Sequence, residues 1–373
     1  MRHLTVKHLA KLAAARPVAV IALSLALALG VFALSGYSAG AIAAGTIEGS
    51  VGSPAALTQT IRWFIPLLII ALGVGLAFQA GYFNIGAQGQ MYVGAIGSLA
   101  VGLAWREGPP LLVVPCAFAA GIALGALWSL VPGLLRTRLG ADEVVTSLMM
   151  NFIAVLLLEW VCTGPLKSGD GTGQAATTDP LPAAFRLSDG SGVSLTLLLL
   201  CGAMVAGAVV LNSRTRLGLE IRIVGRNPVM AQWMGIRASR VGLVVFALSG
   251  AAAGLAGVVE AYGPAGSLRA GFSPQVGFMA VIVALVGSLG PLRTLLAALF
   301  FGGLRAATLY LPIVSDLPQA GLDMLNGMVA LWITVSAVPV LMRRRRLRDP
   351  VPEGGGGLPA DPVRDDMKAV SRG

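Results

Sequence analysis

The sequence predicts an all-α polytopic membrane protein of about ten transmembrane helices, with both termini in the cytoplasm. Three observations carry that expectation. Of its 373 residues, 56% are hydrophobic and only 12% charged, and the mean hydropathy is +0.80, far from the balance of a soluble globule. Apolar runs near twenty residues recur along almost the whole chain, each long enough to cross a hydrocarbon core of about 30 Å. The arginines alternate with those runs in the way that orients membrane proteins.

The chain opens with a basic arm, residues 1–16, holding Arg2, Lys7, Lys11 and Arg16. The first apolar run, 17–37, has the basic flank and trailing small residues of a signal peptide. It is long and leads into further membrane segments, so it is read as an uncleaved signal-anchor. Nine more spans follow at 60–80, 86–105, 111–135, 143–163, 194–212, 241–261, 275–290, 292–311 and 322–342. With the N-terminus inside, even-numbered spans end inside. The inside segments then hold Arg136 and Arg138, six arginines between Arg214 and Arg240, Arg293, and the run Arg343 to Arg346. The outside segments hold only Arg106, Lys167, Arg186 and Arg269, with Arg62 near an outer end. The net charge of +10 is therefore a topology signal and does not point to a nucleic-acid partner.

The transmembrane body runs from 17 to 342 and contains two long loops. The outer one, 164–193, is rich in Gly, Ser, Thr, Asp and Pro and reads as a solvated external segment. The inner one, 213–240, carries helix punctuation: Asn227 as N-cap, Pro228 at the first position and Gly235 as a stop. That spacing predicts a short helix over Pro228 to Met234. The tail, 343–373, is basic and then rich in Pro, Gly and charge, a composition that favours disorder.

One stretch breaks the apolar pattern. Phe83 to Gln90 reads FNIGAQGQ and separates the run Ile65 to Ala80 from Met91 to Ala104. A polar, glycine-broken segment at that position is costly in lipid unless it faces protein or water, and broken helices are where transporters put their solute paths. Gln79, Asn84, Gln88 and Gln90, with Asn151 in the fifth run, are the candidate path or gate residues. Asn84 and Gln88 would share one face of a helix. The span count places the octet toward the cytoplasmic end. Side chains of this kind also simply tie helices together, each bond contributing about 0.6–2 kcal/mol. Gly121 with Gly125, and Gly250 with Gly254, read as helix-packing faces.

Charges within spans must face protein or water. Glu159 and Glu260 fall near outer span ends and are expected at the interface. Arg305 lies nearer mid-span, with Asp316 or Asp323 as a conceivable partner. Other chemistries lack residues. Cys116, Cys162 and Cys201 form neither a disulfide framework nor a metal spacing, and His3 and His8 both sit in the basic arm. No G-x-x-x-x-G-K-[ST] loop occurs. Neither a metal site nor covalent catalysis is expected, and no cofactor is expected in this chain.

FNIGAQGQMYVGA, Phe83 to Ala95, resembles the signature of ABC importer permeases of the branched-chain amino acid and simple-sugar superfamily, and within it the nucleoside branch. GADEVVTSLMMNFIA (Gly140 to Ala154), TRLGLEIRIVGRNPVMAQWMGI (Thr215 to Ile236) and GFMAVIVALVGSLGPLRTLLAALFFGGL (Gly277 to Leu304) are similar to further segments of that branch. The resemblance covers roughly 60–340. Relatives usually carry Glu where this chain has Gln88, and Ala where it has Met230.

The resemblance implies a permease subunit that pairs with a second, related permease, two cytoplasmic ATPases that hold ATP and Mg, and an extracytoplasmic solute-binding protein. The short helix would then be the coupling helix. Arg222, Gly225, Asn227, Pro228, Met230, Ala231, Trp233, Gly235 and Ile236 carry the ATPase contact. Val229 would add apolar packing, and Arg226 and Arg237 would help steer it. The cargo implied is a nucleoside or related simple sugar. Two other readings stay open: an ion-coupled secondary transporter, and an ABC permease for another small solute such as a branched-chain amino acid. A secondary transporter tends to carry midplane carboxylates, and this cluster is made of neutral amides.

Overall fold

A computed structural model describes residues 26–27, 29–169, 176–188, 193–272, 275–314 and 327. The basic arm, about half of the predicted span 17–37, nearly all of the predicted span 322–342 and the tail lie outside the described residues. Among the described residues the fold is helical, and β pairing is limited to isolated bridges from Lys167 to Thr178 and from Thr177 to Arg269. The named helices are α1 (Ala39–Val51), α2 (Pro54–Gln79), α3 (Ala87–Ala104), α4 (Pro110–Leu139), α5 (Glu143–Thr163), α6 (Leu195–Arg214), α7 (Arg216–Arg226), α8 (Pro228–Trp233), α9 (Ala238–Glu260), α10 (Val276–Val286) and α11 (Pro291–Val314). Among the described residues, six segments are long and apolar enough to cross a membrane: α2, α4, α5, α6, α9 with its continuation to Ala265, and α11 to Pro312.

Two predicted spans take another form. Residues 86–105 do become helix α3, but its glutamine- and glycine-bearing first turns leave it too polar to stand with the six. The predicted span 275–290 contains only the eleven residues of α10, about 16 Å of helix at 1.5 Å per residue and well short of a bilayer. α1, by contrast, was not anticipated as a separate element. Ser38 caps it, accepting from the Ala41 N–H at 3.3 Å, and Gly45 and Gly49 are buried where it meets its neighbours.

The local starts and stops follow from sequence. Ser53 accepts from the Ala56 N–H at 3.0 Å with Pro54 behind it, which starts α2. Gly140 adopts φ 70°, so its N–H and that of Ala141 turn back onto the Arg136 and Leu135 carbonyls and end α4. Asp142 then caps α5, accepting from the N–H groups of Val144 and Val145.

α2 is the central helix, buried without interruption from Ile65 to Phe78 and packed on α9, α10 and α11. Behind it, α3, α4 and α9 approach along a glycine seam. A Cβ on Gly125 would lie 2.5 Å from the Gly250 carbonyl oxygen and 2.7 Å from Gly254 Cα, and one on Gly121 would lie 2.8 Å from the Gly94 carbonyl oxygen. Gly94 in turn packs directly on Gly254, and Gly257 on the Met91 carbonyl. Both predicted packing pairs meet here. Lipid supplies no hydrophobic drive between helices, so close backbone packing of this kind is what holds them together. α4, α5 and α6 turn large apolar side chains outward, Leu127, Leu156 and Leu199 among them.

The described part of the outer loop is not simply solvated. Leu181 and Phe185 are buried, and the N–H groups of Thr178, Leu181 and Leu187 donate to the carbonyls of Leu268, Gly266 and Tyr262. Arg106 pairs with Asp179 at 3.2 Å. The Ser168 hydroxyl and then that guanidinium hold the Asp179 carboxyl below its usual range. The loop closes over the end of α9, because its few apolar residues have a surface to bury against.

The seam makes a size prediction. Gly254→Ala overpacks a backbone contact and is expected to cost about 1–3 kcal/mol, read as a lower melting temperature and loss of monodisperse protein in detergent. Gly207→Ala on α6, with open space around it, should melt at or slightly above the wild-type temperature.

Candidate functional site

The octet is a helix break whose polar groups turn into the protein. After Gln79 the chain leaves α2, and α3 starts only at Ala87. Asn84, Gln88, Gln90 and Asn151 are all at most 2% exposed. Asn84 and Gln90 pair amide to amide: Asn84 Nδ2 donates to Gln90 Oε1 at 3.0 Å, and Gln90 Nε2 donates to Asn84 Oδ1 at 2.9 Å. Asn84 Nδ2 also donates to Ser249 Oγ on α9 at 2.9 Å, and its Oδ1 accepts from the Gly86 N–H at 3.0 Å. Every donor and acceptor of that amide is used.

Asn151 on α5 clamps the same break. Its Oδ1 accepts from the Gly89 N–H at 2.8 Å and its Nδ2 donates to the Ile85 carbonyl at 2.9 Å, while the Ile85 N–H donates to Ser147 Oγ at 3.2 Å. These side chains replace the backbone bonds that the break removes. Asn84 precedes the helix, so it does not share a helical face with Gln88. The amide that it meets is that of Gln90. The depth also differs from the expectation. Ser249 is about halfway along α9, so residues 83–86 climb back from the end of α2 to the middle of the bundle. Sequence counting assumes a chain that keeps its direction, and here it doubles back.

Two glutamines from either side of the break hold α10. Gln88 Oε1 accepts from the Gly277 N–H at 2.6 Å, at the start of α10, and Gly277 lies so close to the Gln88 backbone that a side chain would not fit. Gln79 Nε2 donates to the Leu289 carbonyl at 2.5 Å, just past the end of α10. Ser288 and Leu289 both have positive φ, 50° and 60°, a conformation that costs non-glycine residues about 1–3 kcal/mol. Gln79 thus stands apart from the amide cluster and braces a strained turn.

The inner loop folds as two helices. Thr215 caps α7 by accepting from the Gly218 N–H at 3.0 Å, and α7 buries Gly218, Ile221 and Val224. Asn227 accepts from the Met230 N–H at 3.0 Å and starts α8 with Pro228. Gly235, at φ 75°, ends it, so the predicted helix forms with one residue fewer. Only Ala231 is buried on α8, whereas Val229, Met230 and Met234 are more than half exposed and Trp233 is 87% exposed. Ile236 is half-buried and its N–H donates back to the Ala231 carbonyl at 2.9 Å. Arg222 bonds to the Asn212 carbonyl and side chain, which ties α7 to α6.

This loop is in direct contact with the helix break. Gly225 packs onto the Gln79 carbonyl with no room for a Cβ, and the Tyr82 hydroxyl donates to the Ala238 carbonyl at 2.9 Å. A half-open cavity of about 340 Å³ lies there, lined by Gly81, Tyr82, Arg136, Gly225, Pro228 and Ser239. Sequence reading missed Ser147, Ser249 and Tyr82. Ser147 sits four residues before Asn151, a helical spacing that could have linked them, whereas nothing local marks Ser249.

Charged residues form a second group. Arg62 on α2 pairs with Glu260 at the end of α9 at 2.6 Å, and Glu260 is 2% exposed. Glu260 is at the end of its helix as expected, but its carboxylate is buried in the protein because it is drawn to its guanidinium partner. Glu159 is exposed, as expected. Among the described residues no group of three His, Cys, Asp or Glu could hold a metal ion.

A family model described as branched-chain amino acid transport system, permease component, matches residues 56–335. The chain is 32% identical to the glucose ABC transporter permease protein TsgB13 of Haloferax volcanii, over 84% of each chain. It is 32% identical to the guanosine ABC transporter permease protein NupP of Bacillus subtilis, over 86% of this chain and 93% of that one. It is also 32% identical to the nucleoside ABC transporter permease protein NupB of Lactococcus lactis, over 69% and 73%. No solved structure matches.

The amide cluster carries its own prediction. Asn84→Ala leaves Gln90 and Ser249 buried without partners and is expected to destabilise the protein by about 1–3 kcal/mol, measured as a drop in melting temperature. Asn227→Ala removes only a cap and should cost about 1 kcal/mol, with α8 frayed in hydrogen exchange.

Proposed function

The chain belongs to the permease-component family of the branched-chain amino acid transport system, and from that premise we propose that it carries a nucleoside, or a related simple sugar, into the cell. It is a multi-pass plasma-membrane protein and a permease subunit of an ATP-binding-cassette importer. It is not an enzyme, and ATP is hydrolysed on separate ATPase subunits. Membership also implies a solute-binding partner. The observation that carries the nucleoside reading is the 32% identity to a guanosine permease over 93% of its length. The equal identity to a glucose permease favours the sugar as second reading.

In this reading the positive-inside bias orients the bundle with α8 at the inner face and the end of α9 outside. α8 is the coupling helix. Its exposed Val229, Met230 and Trp233 fill a groove on an ATPase, as amphipathic helices do, with Arg226 and Arg237 at the rim and Arg222 holding the loop to α6. The Gly225–Gln79 contact passes the motion of α8 to the α10–α11 turn, and the strain at Ser288 and Leu289 gives that turn a second conformation to relax into. The break at 83–90, with Asn84, Gln88, Gln90 and Asn151, serves as the pivot or inner gate of alternating access. A second, related permease completes the path.

Three outcomes test this. Trp233→Ala with Met230→Ala should abolish co-purification of the ATPase while membrane insertion stays intact, and unchanged co-purification would remove the coupling assignment. Gln79→Leu should leave ATPase docking intact but uncouple hydrolysis from uptake, lowering transported solute per ATP severalfold. Calorimetric titration of the cognate binding protein should show tight binding of nucleosides. Tight binding of leucine in their place would overturn the cargo.

A further inference from the structure

Arg62, Trp63, Glu260 and Arg305 converge where α2, the end of α9 and α11 meet. The Arg62 guanidinium carbon lies 3.9 Å from the Trp63 ring centroid and that of Arg305 lies 5.1 Å from it, so the indole is flanked by two cations. Glu260 is the carboxylate that Arg62 pairs with. Arg62 spends its Nη2 on that carboxylate. Its Nη1 is buried and, among the described residues, makes no hydrogen bond, and the same holds for Trp63 Nε1. Trp63 itself is only 9% exposed. Buried donors in native proteins are almost always paired, and two together on adjacent residues need an explanation.

Their position supplies one. Gly73 of α2 packs on Ser249, level with the amide cluster. Arg62 lies eleven residues from Gly73 and Glu260 eleven from Ser249, each about 16 Å along its helix and in the same direction. The group therefore sits half a bilayer away from the helix break, at the end of the bundle opposite α8. Arginine does not face hydrocarbon without high cost, so this side of the bundle meets water or protein, unlike the apolar outer faces of α4, α5 and α6.

We infer that Arg62 and Trp63, with Arg305 laid against the indole, form a solute-contact station at the outer mouth of the path, where Arg62 Nη1 and Trp63 Nε1 receive the acceptor edge of a 6-oxopurine nucleoside. The inference rests on the nucleoside reading above. A guanidinium and an indole N–H suit the adjacent carbonyl oxygen and ring nitrogen of guanine or hypoxanthine, the edge that arginine reads in nucleic acids. Adenine presents an amino donor at the same place and is disfavoured. The flanking cations hold the indole in position through cation–π attraction, so little ordering is required when solute arrives. Arg305 acts by positioning the ring.

The test uses the complete transporter in proteoliposomes, with the binding protein saturated in turn by guanosine, inosine and adenosine so that capture is not limiting. Trp63→Phe keeps an aromatic face against the guanidiniums and removes the N–H together with the pyrrole ring that bears it. It should lower the guanosine-to-adenosine and inosine-to-adenosine uptake ratios by about threefold to tenfold, the range expected for one lost hydrogen bond, with adenosine uptake and melting temperature nearly unchanged. Arg305→Lys, which keeps the charge but loses the planar fork, should shift the same ratios in the same direction. Equal loss for all three nucleosides together with a lower melting temperature would mean a purely structural cluster and overturn the station, as would unchanged ratios in both variants. If the wild-type transporter carries glucose and none of the nucleosides, the cargo reading falls by itself and the 6-oxopurine preference falls with it. An unaltered glucose uptake in Trp63→Phe would then remove the station as well.

Discussion

The paired carboxamides of Asn84 and Gln90 are the contact on which the middle of this bundle depends. A chain that stops being helical in hydrocarbon exposes N–H and C=O groups that lipid cannot satisfy. Asn84 answers with four bonds, to Gln90 twice, to Ser249 and to the Gly86 N–H, and Asn151 supplies two more to the backbone of Gly89 and Ile85. The break is tolerable only because three other helices come close enough to deliver those groups. The glycine seam brings them there: with side chains at Gly94, Gly125 or Gly254, α9 would stand too far off for Ser249 to reach.

From that fixed point the molecule is organised in two directions. Toward α8, the end of α2 touches the inner loop at Gly225 and the α10–α11 turn at Leu289. The loop that presents Trp233 to solvent is thus one residue contact away from the strained backbone at Ser288 and Leu289. Toward the other end, α2 and α9 run side by side to the Arg62–Glu260 pair, beyond which the 176–188 segment closes over Tyr262. The same two helices carry the amide cluster at mid-length and the charged cluster at one end, so a shift of α2 against α9 is felt at both.

Much of this was legible in the chain. Asn227, Pro228 and Gly235 announced α8 because caps and stops are local chemistry, decided by a few neighbouring residues. The same holds for the apolar lengths of α2, α4, α5, α6, α9 and α11, and for the small-residue spacings of the seam. What was not legible depended on chain direction and partners. The depth of FNIGAQGQ, the shortness of α10, the burial of Leu181 and Phe185, and the ion pair of Glu260 with Arg62, 198 residues apart in sequence, each need a neighbour from far along the chain.

The sequence by itself therefore determined that this is a helical membrane protein, where most of its helices begin and end, and that an uncharged, glycine-broken polar interruption lies at 83–90. Hydropathy, capping and glycine spacing act within a few residues, and these features need nothing more. Only the tertiary structure decided what the interruption does. Whether a buried amide lines a path or replaces missing backbone bonds depends on which helix stands opposite. For Asn84 that helix is α9, brought within 2.9 Å at Ser249 by glycines whose partners lie on other helices.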